Sequence, residues 1–437
     1  MKLTNTHKKI FSNVIWSLGG KIVSMASALF VGILVARYLG PEKYGLMNYV
    51  ISYVALFTVV ASFGMNNIEI RELSKHNENR NTILGTCFRL RLMFAVIAYL
   101  LMCVTLLIYK SDAFTSAMIL TYGLVLFTET GAVLRNYFTS IVKNEYIAKS
   151  EIFRTLIGAV VKILLLWFKA PLQYFIIAQL FDSFLVASGY YICYKKSVGS
   201  LREWNFDKTL IPYIVKESFP LLLSGAAIII YQRIDQVMIG NMLSKEDVGY
   251  FATAGKFVDL ILFIPTVLVQ TITPMLVRIK EQNELSYEQK KRTFVSITTW
   301  IAIIISFIVS LMAFCLIRYT FGESYIAAIP VLQIMAYKAV GMALSASGGQ
   351  IIIIERMQKW AFIRNVLGCF LCIILNYYLL PIYGIVGSAA ITIFTVLFTG
   401  TLSNVLIPQY HSIFKIQMYA LFFGWKELAY FKQIIKK

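Results

Sequence analysis

Apolar runs long enough to cross a bilayer recur along the whole 437-residue chain and predict an all-α integral membrane protein. About 20 helical residues span the ~30 Å hydrocarbon layer. Runs of that length fall near 11–37, 44–65, 84–109, 114–141, 149–169 and 171–194. Six more lie near 212–241, 247–275, 293–319, 327–354, 359–380 and 384–407. The first run is too long for a cleavable signal peptide and lacks a small-residue cleavage site. The expected organisation is an N-terminal six-helix lobe (1–194), a cytoplasmic linker (195–211), a C-terminal six-helix lobe (212–407) and a cytoplasmic or interfacial tail (408–437). In the tail, Trp425, Leu428, Phe431 and Ile435 alternate with Lys426, Glu427, Lys432, Lys436 and Lys437, a pattern for a helix lying along anionic headgroups.

Charge sets the expected orientation. With the N-terminus in the cytoplasm, thirty of the 41 Lys and Arg residues fall on the inner side, among them Arg71, Arg80, Arg89, Arg91, Arg135, Lys195, Lys196, Lys290, Lys291, Arg292 and Arg364. Only Arg37, Lys43, Lys110, Lys169, Lys245 and Arg318 fall outside. Topology and attraction to anionic lipid therefore account for the net charge of +19, without a nucleic-acid partner. The loops are too short for a catalytic domain, so no catalytic residue is expected.

The remaining ionisable groups sit inside predicted spans, where a charge costs ~2.5–3.5 kcal/mol on insertion scales and normally faces a cavity or a partner. The basic ones are Lys21, Lys162, Arg233, Lys256 and Lys338; the acidic ones are Glu129, Asp182, Asp235 and Asp259. Lys21 shares its helix face with Asn13, Ser17, Ser24 and Ala28, a small polar stripe that either lines a water-filled lumen or lets another helix approach closely. Lys338 shares a face with Gly341, Ser345 and Gly348, and no acid lies near it in its own span. Arg233 and Asp235 on one span, with Lys256 and Asp259 on the next, predict a charged cluster that either binds substrate or holds its own hairpin together. Glu129, Lys162 and Asp182 are expected to pair within the first lobe, the sharper reading being that Asp182 or Glu129 binds a coupling cation or proton.

Other motifs carry less. Cys369 and Cys372 form a CxxC inside an apolar helix, which favours packing over redox or metal chemistry. His7, His76 and His411 are scattered, so neither a metal site nor a cofactor is expected. GYFATAGKF (249–257) looks like a phosphate-binding loop, but its glycine spacing is wrong, Phe257 follows the lysine, and no strand precedes it.

A repeat adds structure to this picture. LGPEKYG (39–45) aligns with LSKEDVG (243–249), each at the first helix-to-helix turn of its half. The offset is six spans, an even number, so the halves are expected as parallel lobes around a central cavity. RYLGPEKYG (37–45), SFGMNNIEIREL (62–73) and RIDQVMIGNML followed by EDVGYFATAGKFVDL between 233 and 260 resemble the polysaccharide flippases of the Wzx type, which share a superfamily with the MATE drug/cation antiporters and the lipid flippase MurJ. The resemblance covers essentially the whole chain. It implies alternating-access transfer of an oligosaccharide linked to undecaprenyl pyrophosphate, as in O-antigen or capsule assembly, across a bacterial cytoplasmic (inner) membrane with both termini inside. The implied partners are the lipid-linked glycan, membrane lipids and polysaccharide polymerase or assembly proteins. On this reading Lys21, Arg233, Lys256 and Lys338 form a cationic lumen for the pyrophosphate. The alternative is an ion-coupled, MATE-like exporter of small organic cations, whose cavity should be rich in acids, whereas the buried groups here lean basic.

Overall fold

A computed structural model describes residues 5–109 and 111–430. Hydrocarbon offers no water to satisfy backbone N–H and C=O groups, so a chain this apolar must satisfy them within its own helices. The described residues contain helix and no strand. In order they are α1 (Asn5–Ser62), α2 (Asn66–Lys75), α3 (Arg80–Tyr109), α4 (Ala113–Gly123), α5 (Val125–Thr128), α6 (Ala132–Ser140), α7 (Asn144–Trp167) and α8 (Leu172–Ser197). Then follow α9 (Leu210–Met242), α10 (Lys245–Gln282), α11 (Glu284–Thr320), α12 (Ala328–Met335), α13 (Lys338–Ile354), α14 (Ala361–Gly400) and α15 (His411–Phe423).

Nine stretches among the described residues are long and apolar enough to cross a membrane. Two of them are double. The stretch Gly19–Lys75 is broken at Gly40 (φ 73°) and Ala361–Val405 at Gly384 (φ 59°), left-handed conformations that glycine adopts without a Cβ clash. Pro41 follows the first break at a helix start, where its missing N–H leaves no bond unmade. The 24-residue α7 falls outside the nine; it carries Glu151, Arg154 and Lys162 yet has the length of a span. Counting each broken stretch twice and adding α7 gives the twelve spans that hydropathy predicts. The second copy of the repeat also forms a turn, with Ser244 capping α10 by accepting from the Asp247 amide at 3.0 Å.

Two predicted spans are interrupted, and each interruption is answered chemically. Between α4 and α6, the Thr128 and Thr130 hydroxyls donate to the Val125 and Phe127 carbonyls at 2.7 Å, bonding that competes with the helical ladder and accompanies a 3₁₀ turn at Glu129–Gly131. Between α12 and α13, the Ser306 hydroxyl donates to the Ala336 carbonyl at 2.8 Å.

The chain divides into two compact units, Met1–Ile229 and Ile230–Lys437, and passes from one to the other within α9. In unit 1 the connection before α9 is strapped onto α3. Trp204 meets Phe88 edge-on, Arg89 lies over the Phe206 ring at 4.5 Å, and the Asp207 amide donates to Thr86 Oγ1 at 3.1 Å. The Thr209 hydroxyl and amide hold the Asp207 carboxyl below the ordinary carboxylate range. In unit 2, α15 packs through Ile413, Gln417 and Ala420, and Glu427 accepts from Thr293 Oγ1 at 2.8 Å. After α15 the tail continues as a 3₁₀ turn, Gly424–Tyr430, pinned to α11; Phe431, Lys432, Ile435, Lys436 and Lys437 lie outside the described residues, as does Lys110.

The polar centre of unit 1 is an ion pair with both side chains fully buried. Arg91 Nε and Nη2 donate to the two carboxylate oxygens of Glu69 at 2.7 and 3.0 Å, Nη2 also reaches Asn66 Oδ1 at 2.6 Å, and Asn136 Nδ2 donates to Glu69 at 2.6 Å. Arg91, expected among the topology-setting inner arginines, is thus a packed structural group. Removing one partner of such a pair strands the other charge, at a cost of about 3–5 kcal/mol. Arg91→Ala should therefore lower membrane abundance and thermal stability sharply, while Arg91→Met with Glu69→Leu should recover much of both, as measured by fluorescence-detected size-exclusion after heating.

Candidate functional site

The intramembrane charges are laid out unit by unit. In unit 1 the Lys162 ammonium on α7 pairs with the Asp182 carboxylate on α8, as expected of opposite charges within the first lobe. Among the described residues Asp182 Oδ1 meets no hydrogen-bond donor, and a Cβ at Gly158 would stand 2.1 Å from it, so Gly158 makes the room the carboxylate occupies. Glu129 does not join this pair. It sits in the 3₁₀ turn with its backbone carbonyl 3.5 Å from Arg91 Nη1, and its charge interacts with Arg91 and Arg135.

The small polar stripe of α1 resolves in favour of close helix approach over part of its length. Ser24 and Thr155 hydroxyls are 3.0 Å apart, and a Cβ on Gly20 would touch Ala148 at 3.4 Å, so this face packs on α7. Lys21, one residue further round the helix, is exposed, as is Ala28. The side chains of Asn13 and Ser17 lie outside the described residues.

In unit 2 the expected hairpin pairing is absent among the described residues. Arg233 and Asp235 are two positions apart and so face different sides of α9. Arg233 is exposed, whereas Asp235 is 2% exposed. Lys256 on α10 is half-buried and Asp259 exposed, with no ion pair between them. Asp235 is instead held by neutral donors. Asn376 Nδ2 donates to Oδ1 at 2.9 Å, Thr392 Oγ1 to Oδ2 at 2.6 Å, and Cys372 Sγ to Oδ1 at 3.4 Å. Ser388 Oγ in turn donates to Asn376 Oδ1 at 2.9 Å. The CxxC therefore does more than pack, since one of its thiols serves this carboxylate.

Lys338 opens α13 at the break after α12, half-buried, and its charge acts on Asp235. The face it shares with Gly341, Ser345 and Gly348 is a seam rather than an open wall. A Cβ on Gly341 would stand 3.0 Å from Val396, Ser345 lies against Gly400, and Gly348 faces Gln417 of α15. The acid on which Lys338 acts across space is on α9, outside its own span, and among the described residues the two form no ion pair.

Several buried polar groups are not ionisable residues of the predicted span interiors. Asn376, Thr392 and Ser388 are neutral. Arg364 donates to Asn404 Oδ1 at 3.0 Å, and Asn404 Nδ2 to Gln417 Oε1 at 2.8 Å. The usable signal was an amide at mid-span, as at Asn376, since hydrocarbon penalises any unpartnered polar group.

A family model described as "Polysaccharide biosynthesis protein" matches residues 10–280, more than half of the chain. This chain belongs to the polysaccharide biosynthesis protein family. Among relatives of this family member, an uncharacterised membrane protein of Methanocaldococcus jannaschii is 20% identical over 421 residues, covering 89% of this chain and 82% of its own. Two solved structures share the fold. The lipid II flippase MurJ in an inward closed conformation aligns with a TM-score of 0.70 at 16% identity, covering 97% of this chain and 96% of its own. An inward-facing multidrug-resistance MATE transporter of the MOP superfamily aligns at 0.63 and 14%, covering 94% and 96%. The all-α membrane-spanning architecture is thus that of flippases and exporters.

The Lys162–Asp182 pair makes a checkable statement about unit 1. Asp182→Ala strands a lysine within the helix pair and should lower the midpoint of thermal inactivation of the purified chain. Lys162→Met with Asp182→Leu should restore it, because neither charge is then left uncompensated. An unchanged midpoint in Asp182→Ala would show the pair to be dispensable for folding.

Proposed function

We propose that this chain moves a polyprenyl-pyrophosphate-linked oligosaccharide from the inner to the outer leaflet of a bacterial cytoplasmic membrane, without making or breaking a bond. The undecaprenyl carrier is the expected one, and the cycle is alternating access, with Lys21, Arg233, Lys256 and Lys338 as cationic contacts for the pyrophosphate. Both termini then face the cytoplasm, and the assembly partners are polysaccharide polymerases. Family membership and the fold shared with flippases support the class of function.

The observation that carries the choice of substrate is an asymmetry of charge. Glu69, Asp182 and Asp235 are hydrogen-bonded inside their units, to Arg91, to Lys162 and to neutral donors respectively. Among the described residues, Arg233, Lys256 and Lys338 have no carboxylate within ion-pair distance, and each keeps some exposure. Cations so placed favour an anionic ligand, and a pyrophosphate with about two negative charges gains charge-assisted hydrogen bonds from them. The alternative, export of small organic cations, fits less well because most intramembrane acids already have donors. Asp182 or Glu129 as a coupling-ion site stays part of the proposal, with Asp182 Oδ1 the oxygen left over for it.

The test measures surface glycan and membrane abundance together. Lys21→Ala and Lys338→Ala should abolish export of the lipid-linked glycan at near-normal abundance, since Asp235 keeps its three neutral donors without Lys338. Lys→Arg at either position should retain part of the export, as charge persists while geometry changes. Normal glycan in both Ala variants at normal abundance would overturn the assignment.

A further inference from the structure

Asp235 and Lys338 pose a question that substrate binding by Lys338 alone does not answer. A carboxylate 2% exposed takes hydrogen bonds, among the described residues, from Asn376, Thr392 and Cys372, although a lysine acts on it across space. Packing fixes where that lysine stands. Gly341 of α13 lies against Val396, and Ser345 lies one turn on against Gly400, so the two helices run side by side in register. Ile334, one turn before Lys338, lines the same apolar groove as Leu375, Leu379 and Ile391, which flank Asn376 and Thr392. Lys338 is thereby set level with Thr392, which donates to Asp235 Oδ2.

From this arrangement we infer that Asp235 is the resident counter-anion of Lys338, and that a pyrophosphate group takes the ammonium over from it. The inference rests on the proposed anionic substrate and adds a positioning residue to it. Asp235 compensates the lysine charge across space, so Lys338 can remain in a low-dielectric span while the site is empty. Neutral side chains supply the three hydrogen bonds that Asp235 accepts, and among the described residues Lys338 forms no ion pair, so its ammonium donors are available to a ligand. When the anion leaves, Asp235 regains the lysine. The carboxylate thus weakens the hold on pyrophosphate, as a carrier requires in order to release what it binds.

The experiment uses the full chain in nanodiscs, titrated calorimetrically with inorganic pyrophosphate and, in a second arm, with farnesyl pyrophosphate to separate headgroup from tail. Asp235→Asn, which keeps the shape of the network, should tighten binding of both probes by on the order of tenfold, as expected for removing one nearby opposing charge. Lys338→Met should abolish that gain, so that Asp235→Asn changes nothing in its background. Should Asp235→Asn fail to fold, infrared difference spectra of the unmodified chain give the same information: pyrophosphate should perturb a carboxylate band, and Lys338→Met should lose that signal. Unchanged or weaker binding in folded Asp235→Asn, a gain that survives Lys338→Met, or no carboxylate signal would overturn the inference. If any of these occurs while Lys338→Ala still loses glycan export, only the role of Asp235 falls. Normal export in Lys338→Ala removes the underlying substrate reading at this residue.

Discussion

A charge placed in hydrocarbon must be answered, and the architecture of each unit follows from how it is answered. Unit 1 buries Arg91 against Glu69 with two amides completing the set, and joins α7 to α8 through Lys162 and Asp182. Unit 2 buries Asp235 among neutral donors and leaves its lysine at a distance. In the first arrangement each cation meets a carboxylate directly, so its donors are spent within the unit. The second is open. A carboxylate satisfied by an amide, a hydroxyl and a thiol neutralises Lys338 without consuming its hydrogen bonds.

Backbone breaks are arranged around these groups. α12 ends and α13 begins at Lys338, and the carbonyl at that break takes a hydroxyl from α11. The 3₁₀ turn at Glu129 presents a carbonyl toward Arg91. Irregular backbone at membrane depth is tolerated where its polar groups find partners, and at both breaks a carbonyl meets a side-chain donor. The small residues Gly341, Ser345 and Gly348 then serve close packing of α13, which places Lys338 beside the Asp235 network.

Much of the fold was legible from hydropathy, because span length is a physical requirement of the bilayer and apolar runs of about 20 residues have few other uses. The two double stretches were legible as four spans from where their apolar runs end, although helix runs on through both junctions except at Gly40 and Gly384. The Lys162–Asp182 pair could be read from opposite charges on consecutive spans. Arg91 could not, because an arginine near the inner end of a span reads equally as a topology signal. Asn376 and Thr392 carry no charge, so nothing in the charge pattern of the sequence points to them. Nor could spacing along one helix reveal that the acid on which Lys338 acts lies on α9, more than a hundred positions earlier.

The central claim is that this scaffold carries an anionic, pyrophosphate-bearing lipid. The most direct measurement reconstitutes the full chain in liposomes holding a polyprenyl-pyrophosphate saccharide in one leaflet and follows its appearance in the other by accessibility to a sugar-modifying enzyme. A cationic amphiphile of matched tail serves as the comparison. The account predicts that the protein accelerates exchange of the pyrophosphate lipid and leaves that of the cation at the rate of protein-free liposomes. Accelerated movement of the cation, with none of the pyrophosphate lipid, would contradict it.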